Sequence, residues 1–596
     1  MKIKEGRIRA IIKLSWQAFG GYKLQIATLT VLGFLSGLLE GIGVNALIPL
    51  FSFFVNDAKQ GTDIISRLLQ QGFAYLDIDF SLKQILIFIC LLFIFKALAI
   101  LLFNYISIKI EASYEERTRN NLLKKTLGAS WPYLLNQKLG HLENTLKVDV
   151  DRSSTLLSQI GNLIMILTGL LVYIFIALNI AAIITLITLA LGGIIFLVFK
   201  PLIYKTRKTA REVNEMNRQV AHYVNESIAG IKTIKAMSVG DKIIEAVSEF
   251  FRKFKQAKVR IFLLKTLTTT MLQPISLIFI CVVFAFSYKT PNFQFSALIA
   301  VVYLIQKIFQ YIQQVQTSLH AINESVPYLQ SVLESERQSE ASAEEDSRGK
   351  PFKFDKKLEF SGVGFSYDPK MEILADINFS IAKGETAGLI GPSGAGKTTI
   401  VDLILRLFRP TRGEIKLDGV NIFETSLKDW REHIGYVSQD MFLKNDTVAN
   451  NIRFYDNSIT DKTIEEAARM ANIYDFIQTC PDKFETRIGE RGIILSAGQR
   501  QRVVIARILA RKPQLLILDE ATSALDNESE MQIQKVVENL KNKTTVLLIA
   551  HRLSTVMNCD KLLVLQNGQI IEQGPPSELL ADESSYFFKM NNIIKS

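Results

Sequence analysis

Nine consecutive residues combine glycines, one lysine and two hydroxyls in an order suited to holding a polyphosphate: Gly391-Pro392-Ser393-Gly394-Ala395-Gly396-Lys397-Thr398-Thr399. They follow the apolar run Ala387-Gly388-Leu389-Ile390 and precede an apolar-periodic segment, Ile400 to Leu407. That order reads strand, glycine-rich loop, helix, the context in which such a loop binds nucleotide phosphates. The glycines let backbone N–H groups turn inward around phosphate oxygens, and the following helix points its positive dipole end at the same anions. Lys397 would reach the β- and γ-phosphates, and the Thr398 hydroxyl would ligate Mg²⁺, so ATP and Mg²⁺ are the expected cofactors.

Two further stretches suit the same chemistry. Leu515-Leu516-Ile517-Leu518-Asp519-Glu520 reads as a buried strand ending in two carboxylates. Asp519 suits a Mg²⁺ shell, and Glu520 is placed to polarise an attacking water. Leu495-Ser496-Ala497-Gly498-Gln499 precedes a helical run from Arg500 to Ala510. Small residues and a hydroxyl at a helix N-terminus form an anion site, again suited to a γ-phosphate.

The elements that must carry these residues divide the chain in two. Its 596 residues exceed what one hydrophobic core serves. The mean hydropathy of +0.20 is high for a chain with 21% charged residues. Apolar runs crowd the first half, and an α/β pattern fills the second. The net charge of +11 is compatible with nucleic acid, but basic cytoplasmic loops of a membrane protein give the same sign and no nucleic-acid partner is expected. Cys90, Cys281, Cys480 and Cys559 are scattered without metal-ligand or redox spacing and read as free thiols.

Residues 1–22 place Lys2, Lys4, Arg7, Arg9 and Lys13 among Ile8, Ile11, Trp16 and Phe19, which reads as an amphipathic helix lying in the membrane interface. Six stretches are long and apolar enough to span a bilayer, near 23–55, 82–108, 155–178, 181–204, 260–288 and 294–320. The segments 109–152 and 200–260 are rich in lysine and arginine, whereas the first outer loop is short of them. The positive-inside bias therefore puts both termini, both basic loops and the ATP-binding part in the cytoplasm. Apolar residues at helical spacing, such as Val224, Ile228, Ile231 and Ile234, make the basic loops helical extensions of the spans, reversing near Gly140 and Gly230. The outer loop 56–81 reads as a short amphipathic helix or an ordinary loop. Polar, acidic, Ser-rich residues 331–352 read as a linker.

Lys397, Asp519, Glu520 and the Leu495–Gln499 stretch together resemble the nucleotide-binding domain of ABC transporters, and six preceding spans match the half-transporter exporters of that superfamily. The resemblance covers nearly the whole chain. It implies a six-helix membrane α-helical domain over 23–330, then an α/β P-loop NTPase domain over 353–596. It implies that Tyr367 stacks on adenine and that Gln439 touches Mg²⁺ and senses the γ-phosphate. Thr486-Arg487-Ile488-Gly489-Glu490-Arg491-Gly492 would contact the coupling loops, Ser523-Ala524-Leu525-Asp526 would meet the opposite subunit, and His551 would contact the γ-phosphate. The P-loop residues Gly391 to Thr399, with Ser496, Gly498 and Gln499, complete the ATP site. One departure is visible: Ala497 stands where the family has glycine, and its methyl group predicts a modest effect on turnover. One P-loop and one signature per chain imply two chains, head to tail, as a homodimer or with a sister half.

The resemblance implies an ATP-driven exporter or flippase in a plasma or bacterial inner membrane, its cargo a lipid, glycolipid or other amphipathic compound. A drug or peptide exporter is the alternative within the class, and an ATP-gated regulatory or channel-like protein the alternative outside it; Glu520 argues against the latter. Tyr303, Lys307, Gln310 and Gln314 fall on one face of the last span and would suit an anionic or sugar-bearing head group. Glu40, followed by Pro49 in the first span, is similar to the first span of lipid-linked oligosaccharide flippases. It reads either as a cavity residue or as a helix–helix hydrogen bond.

Overall fold

The computed structural model describes residues 8–46, 71–75, 77, 79–288, 295–345, 349–520, 526–550 and 552–595. The chain divides into a helical unit, 1–129 with 133–343, and a sheet-containing unit, 344–596 with the short stretch 130–132.

The helical unit contains α1 (Ile8–Phe19), α2 (Lys23–Asn45), α3 (Leu82–Leu127), α4 (Trp131–Leu135), α5 (Leu139–Asn144), α6 (Val150–Ala229), α7 (Ile231–Ala236), α8 (Gly240–Thr270), α9 (Leu272–Ser287) and α10 (Phe295–Ala341). Non-helical backbone at Ala181 (φ −148°, ψ 73°) divides α6 and separates the third expected span from the fourth. Among the described residues, 5 helical stretches are long and apolar enough to cross a membrane. The sixth expected span, 294–320, falls on the first half of α10. The stretch Ala181–Ala229 has 49 residues; at ~1.5 Å per residue it far exceeds a hydrocarbon core of about 30 Å. The spans therefore continue as helices well past the bilayer, as the apolar spacing in the basic loops predicts.

Small residues let these helices approach. A Cβ at Gly37 of α2 would sit 3.1 Å from the Gly169 Cα of α6, so the two backbones meet directly. Beyond the membrane, polar groups take over. Asp149, fully buried, accepts from Arg218 Nη2 at 3.0 Å, Asn144 Nδ2 at 3.0 Å and Ser331 Oγ. That knot joins α6 to α10 next to a one-turn π-helix at Thr145–Asp149. Buried His320 of α10 bonds through Nδ1 to Thr206 Oγ1 at 2.9 Å and through Nε2 to Thr268 Oγ1 at 3.0 Å, tying α10 to α6 and α8.

Four expectations differ. The first reversal spans 128–138, around α4, and not Gly140. Gly140 lies inside α5, where a Cβ would come 2.6 Å from the His222 backbone, so its small size serves close packing. Gly230 does end α6, as expected. Residues 331–341, read as linker, continue α10, because Val332 and Ser339 turn inward and are buried while their charged neighbours face water. The sheet-containing unit accordingly begins near 344 and not 353. In α1, Trp16 is exposed as an interfacial anchor should be, but Phe19 is buried against Tyr114, with ring centroids 4.8 Å apart. Most of the outer loop 56–81 lies outside the described residues.

The second unit holds two sheets. β1 (Lys357–Asp368), β2 (Met371–Ala382), β4 (Arg412–Leu417) and β5 (Val420–Asn421) form an antiparallel sheet in the order β2-β1-β4-β5. The larger sheet runs β10-β9-β3-β8-β7-β6, with β3 (Thr386–Ile390), β6 (Ile434–Val437), β7 (Leu515–Asp519), β8 (Thr545–Ile549), β9 (Lys561–Gln566) and β10 (Gln569–Gly574). Its inner pairings are parallel. Continuous apolar strands fit a parallel sheet covered on both faces: Leu516 and Leu518 of β7 enter one core, Leu515 and Ile517 the other. Helices α11 (Lys397–Ile404), α12 (Ala497–Leu509) and α13 (Asn527–Leu540) are the ones that carry the site.

Candidate nucleotide site and membrane cleft

Three parallel strands end at one edge of the large sheet, where ligands of such sheets bind. The loop 391–396 leaves β3, Asp519 closes β7, and Gln439 follows β6 by two residues. Residue 551 follows β8 in the chain, but His551 lies outside the described residues, as do Ser523, Ala524 and Leu525.

In the loop, Gly394 and Gly396 take φ of 80° and 107°, left-handed values that disfavour a side chain. A Cβ at Gly396 would also come 2.6 Å from Leu374 Cδ2. Lys397 opens α11 and is 6% exposed; its Nζ donates to the carbonyls of Gly391 at 2.9 Å and Pro392 at 3.1 Å. The ammonium is thus folded back over its own loop. Burial holds the Lys397 pKa below the usual lysine value, with the Glu520 and Asp519 carboxylates acting in the opposite direction. Thr398, Ser393 and Pro392 are exposed, and Thr399 and Ala395 are buried.

Glu520 has a left-handed backbone (φ 50°) and its N–H donates to Ile549 O at 3.0 Å. Gln439 Nε2 donates to Glu520 Oε2 at 2.7 Å, bringing two expected site residues together. Asp519 is buried, and Tyr436 OH donates to its Oδ2 at 3.3 Å. Asp402 lies four residues beyond Thr398 on α11, on the same helix face. Burial, then the Asp519 charge, push its pKa up to about 6. Neither Tyr436 nor Asp402 is among the expected site residues; the four-residue spacing from Thr398 on one helix is the signal that could have found the second. A carboxylate whose proton affinity is raised by the charge of a second carboxylate beside it belongs to a donor set that a divalent cation satisfies. Mg²⁺ therefore fits these residues.

Tyr367, the penultimate residue of β1, is 54% exposed and bonds Thr399 Oγ1 through its hydroxyl at 3.2 Å. Its ring stands edge-on to Phe365 and Phe408, leaving the ring supported and accessible, as a stacking platform for a base requires. At α12, Ser496 is the N-cap: Gln499 N donates to Ser496 Oγ at 3.2 Å and Ser496 N to Gln499 Oε1 at 2.9 Å, a reciprocal capping box. Ala497 is the first helical residue and packs against the core. A Cβ at Gly498 would meet Ser529 Cβ at 2.6 Å, which explains the glycine by packing against α13. The 486–490 stretch is anchored by Val448 N to Thr486 O at 3.0 Å and Ile488 N to Asp446 O at 3.1 Å.

In the helical unit, Tyr303, Lys307 and Gln310 do share one cleft, of about 340 Å³, with Gln306 and Gln313 of α10 and Gln273 and Ser276 of α9. Gln313 joins it in place of Gln314. Glu40 does not line this cleft. Its Oε1 accepts from Lys307 Nζ at 3.2 Å and its Oε2 from Tyr311 OH at 2.9 Å, and Lys96 lies 3.2 Å away. Glu40 thus makes the helix–helix contacts of one of its two readings, with ionic partners on α3 and α10. Lys96, Tyr311 and the α9 residues carry no local signal, since their partners are remote in sequence.

Comparison with known proteins agrees with this geometry. A family model described as ABC transporter transmembrane region matches residues 26–315, and one described as ABC transporter matches 374–523. The heterocyst differentiation ATP-binding protein HepA of Nostoc is 31% identical over 78% of this chain and 77% of its own length. An ATP-dependent lipid A-core flippase of Burkholderia pseudomallei is 36% identical over 64% of this chain, which spans 65% of that relative. The solved structure of a bacterial Atm1-family ABC exporter with ATP bound shares the fold, with a TM-score of 0.81, 23% identity, and 96% and 100% of the two chains covered. The chain belongs to the ABC transporter family, as an exporter-type half-transporter whose ATP-hydrolysing domain is fused to the membrane domain it drives.

Proposed function

We propose that two copies of this chain assemble head to tail and move an amphipathic lipid or glycolipid out of the cytoplasmic leaflet by alternating access. Each ATP lies between the Gly391–Thr399 loop of one copy and the Ser496–Gln499 helix start of the other. Tyr367 stacks on the base. Lys397 exchanges its two loop carbonyls for phosphate oxygens. Thr398, Gln439 and Asp519 would hold Mg²⁺, which when bound would neutralise phosphate charge. Glu520 orients and polarises the attacking water, and His551 contacts the γ-phosphate. Closure over ATP and release after hydrolysis bias the spans between two states through their helical extensions. The ATP-binding domain and both termini are cytoplasmic, in a plasma or bacterial inner membrane.

The observation that carries the cargo reading is the cleft between α9 and α10. Four glutamines, Ser276 and Tyr303 offer hydrogen bonds suited to hydroxyl-rich groups, and Lys307 offers one cation. Such a lining serves a polar head group better than an apolar drug. The lipid A-core flippase among the relatives supports the same class.

The test is reconstitution in liposomes with a fluorescent lipid-linked oligosaccharide, followed from the ATP side to the opposite leaflet, with Glu520→Gln as control. Translocation that requires ATP and stops in the variant is the expected result. ATP hydrolysis without translocation of that lipid would reject this cargo and turn the search to peptides and drugs.

A further inference from the structure

The first turn of α13 carries a buried carboxylate with a task outside the nucleotide contacts. Glu530 is 7% exposed. Its Oε1 accepts from Ser554 Oγ at 2.7 Å and Thr555 Oγ1 at 3.3 Å, and its Oε2 accepts from Arg552 Nη1. All three donors fall within the four residues that follow His551 in the chain. One turn along, Gln534 Nε2 donates to Ser554 O at 3.4 Å. The other end of the connection is as short: Glu530 N donates to Asp526 O at 3.0 Å, so the same turn begins on the last residue of the Ser523–Asp526 segment. Burial alone would raise the Glu530 pKa, but the hydrogen bonds from Ser554 and Arg552 outweigh it, and the carboxylate stays ionised. A buried, three-donor carboxylate is a costly way to hold two segments together unless their geometry matters.

We infer that Glu530 is a positioning residue for ATP hydrolysis, fixing residues 552–555, and through them the chain next to His551, to the helix that follows Asp526. The inference rests on the reading that His551 works at the γ-phosphate. It gives the segment expected to meet the opposite subunit a direct mechanical link to that histidine. Arrival of the second subunit at Asp526 then registers at residue 551 through one carboxylate.

The test measures kcat, KM for ATP and thermal midpoint of the full-length protein in nanodiscs, for wild type, Glu530→Gln, His551→Ala and the double variant. Glu530→Gln is expected to lower kcat about tenfold, because small displacements of catalytic groups are costly, with KM within about twofold. Residues acting as a unit are non-additive, so the double variant should fall within about twofold of His551→Ala alone. Wild-type kcat in Glu530→Gln, or a double variant in which the two losses multiply, overturns the inference while His551 keeps its role. Wild-type kcat in His551→Ala overturns the reading beneath it. Should Glu530→Gln fail to fold, Ser554→Ala and Arg552→Lys carry the test: unchanged turnover in both overturns the inference.

Discussion

Gln439 Nε2 lies 2.7 Å from Glu520 Oε2, so the amide after β6 holds the carboxylate after β7 across the sheet edge. Glu520 itself sits at a φ of 50°, a conformation that costs a non-glycine residue about 1 kcal/mol or more. The left-handed backbone and a neighbour's hydrogen bond together hold the carboxylate in place at the end of the strand. Glu520→Gln preserves shape and removes the carboxylate charge. Steady-state turnover is expected to fall by about 10² or more, while ATP affinity changes by less than about threefold. A variant with wild-type turnover would reject Glu520 as the polarising group.

Gln439→Ala tests the partner. With the amide gone, Glu520 keeps its charge but loses its lateral support. Turnover should fall by about tenfold, less than for Glu520→Gln, with reduced sensitivity to Mg²⁺ concentration. Measuring ATPase rate against Mg²⁺ for both variants separates the two roles. Equal losses in both would place Gln439 in the same chemical step as Glu520.

Asp402 makes a pH prediction for the nucleotide-free protein. Its pKa is pushed up to about 6, by burial and then by Asp519, from an ordinary value of 3.8. The folded state therefore holds a proton that the unfolded state releases. That contribution is fully present below the unfolded value and is lost as pH rises through about 6. Asp402→Asn keeps the protonated shape at every pH. Its thermal midpoint at pH 7.5 should exceed wild type, and the difference should vanish near pH 4. A constant difference across that range would mean that Asp402 titrates normally.

The nucleotide site was readable because its parts are contiguous. Leu515–Asp519 is a continuous apolar run that fits the parallel sheet, and Gly391–Lys397 carries its loop geometry in the residues themselves. Ser496 and Gln499 mark a helix start in the sequence, and the structure adds that they form a capping box. What escaped is held by distance in sequence. Asp149 meets Arg218 and Ser331, and His320 meets Thr206 and Thr268, across separations that no local pattern encodes. Residues 331–341 escaped for another reason. Charge and serine dominate their composition, while only a few positions such as Val332 and Ser339 turn inward. Gly140 was misread because glycine serves both turns and close helix contacts, and only the nearby His222 backbone decides between them.

Ala497, where the family resemblance leads one to expect glycine, occupies the first position of α12 and packs against the core. At a helical position alanine is favoured over glycine by about 1 kcal/mol. Ala497→Gly is thus expected to lower thermal stability slightly and to leave turnover within about twofold. The capping hydroxyl of Ser496 is untouched by the change, so its hydrogen bond with Gln499 survives. A tenfold gain in turnover would show instead that the methyl group obstructs phosphate.

Glu40 joins three helices within the membrane unit: its own α2, α3 through Lys96 and α10 through Lys307 and Tyr311. Two ammonium groups share one carboxylate, so the cluster carries a surplus positive charge in an apolar setting. Removing the carboxylate leaves two lysines facing each other without their counter-ion. The loss of one partner from a buried ion pair costs about 3–5 kcal/mol, and partial exposure reduces that here. Glu40→Ala should therefore lower the thermal midpoint markedly, and Glu40→Gln less, since the amide still accepts from Tyr311. Adding Lys96→Met to Glu40→Ala should recover part of the loss, because one of the two uncompensated charges disappears. Unfolding of the purified variants in lipid nanodiscs reads both effects. If the second substitution deepens the loss, Lys96 contributes by packing, and the charge argument for this cluster fails. If it restores stability, Lys307 remains as the cation facing the glutamine-lined cleft, and translocation by the double variant then reports whether Glu40 matters to cargo or to the fold alone.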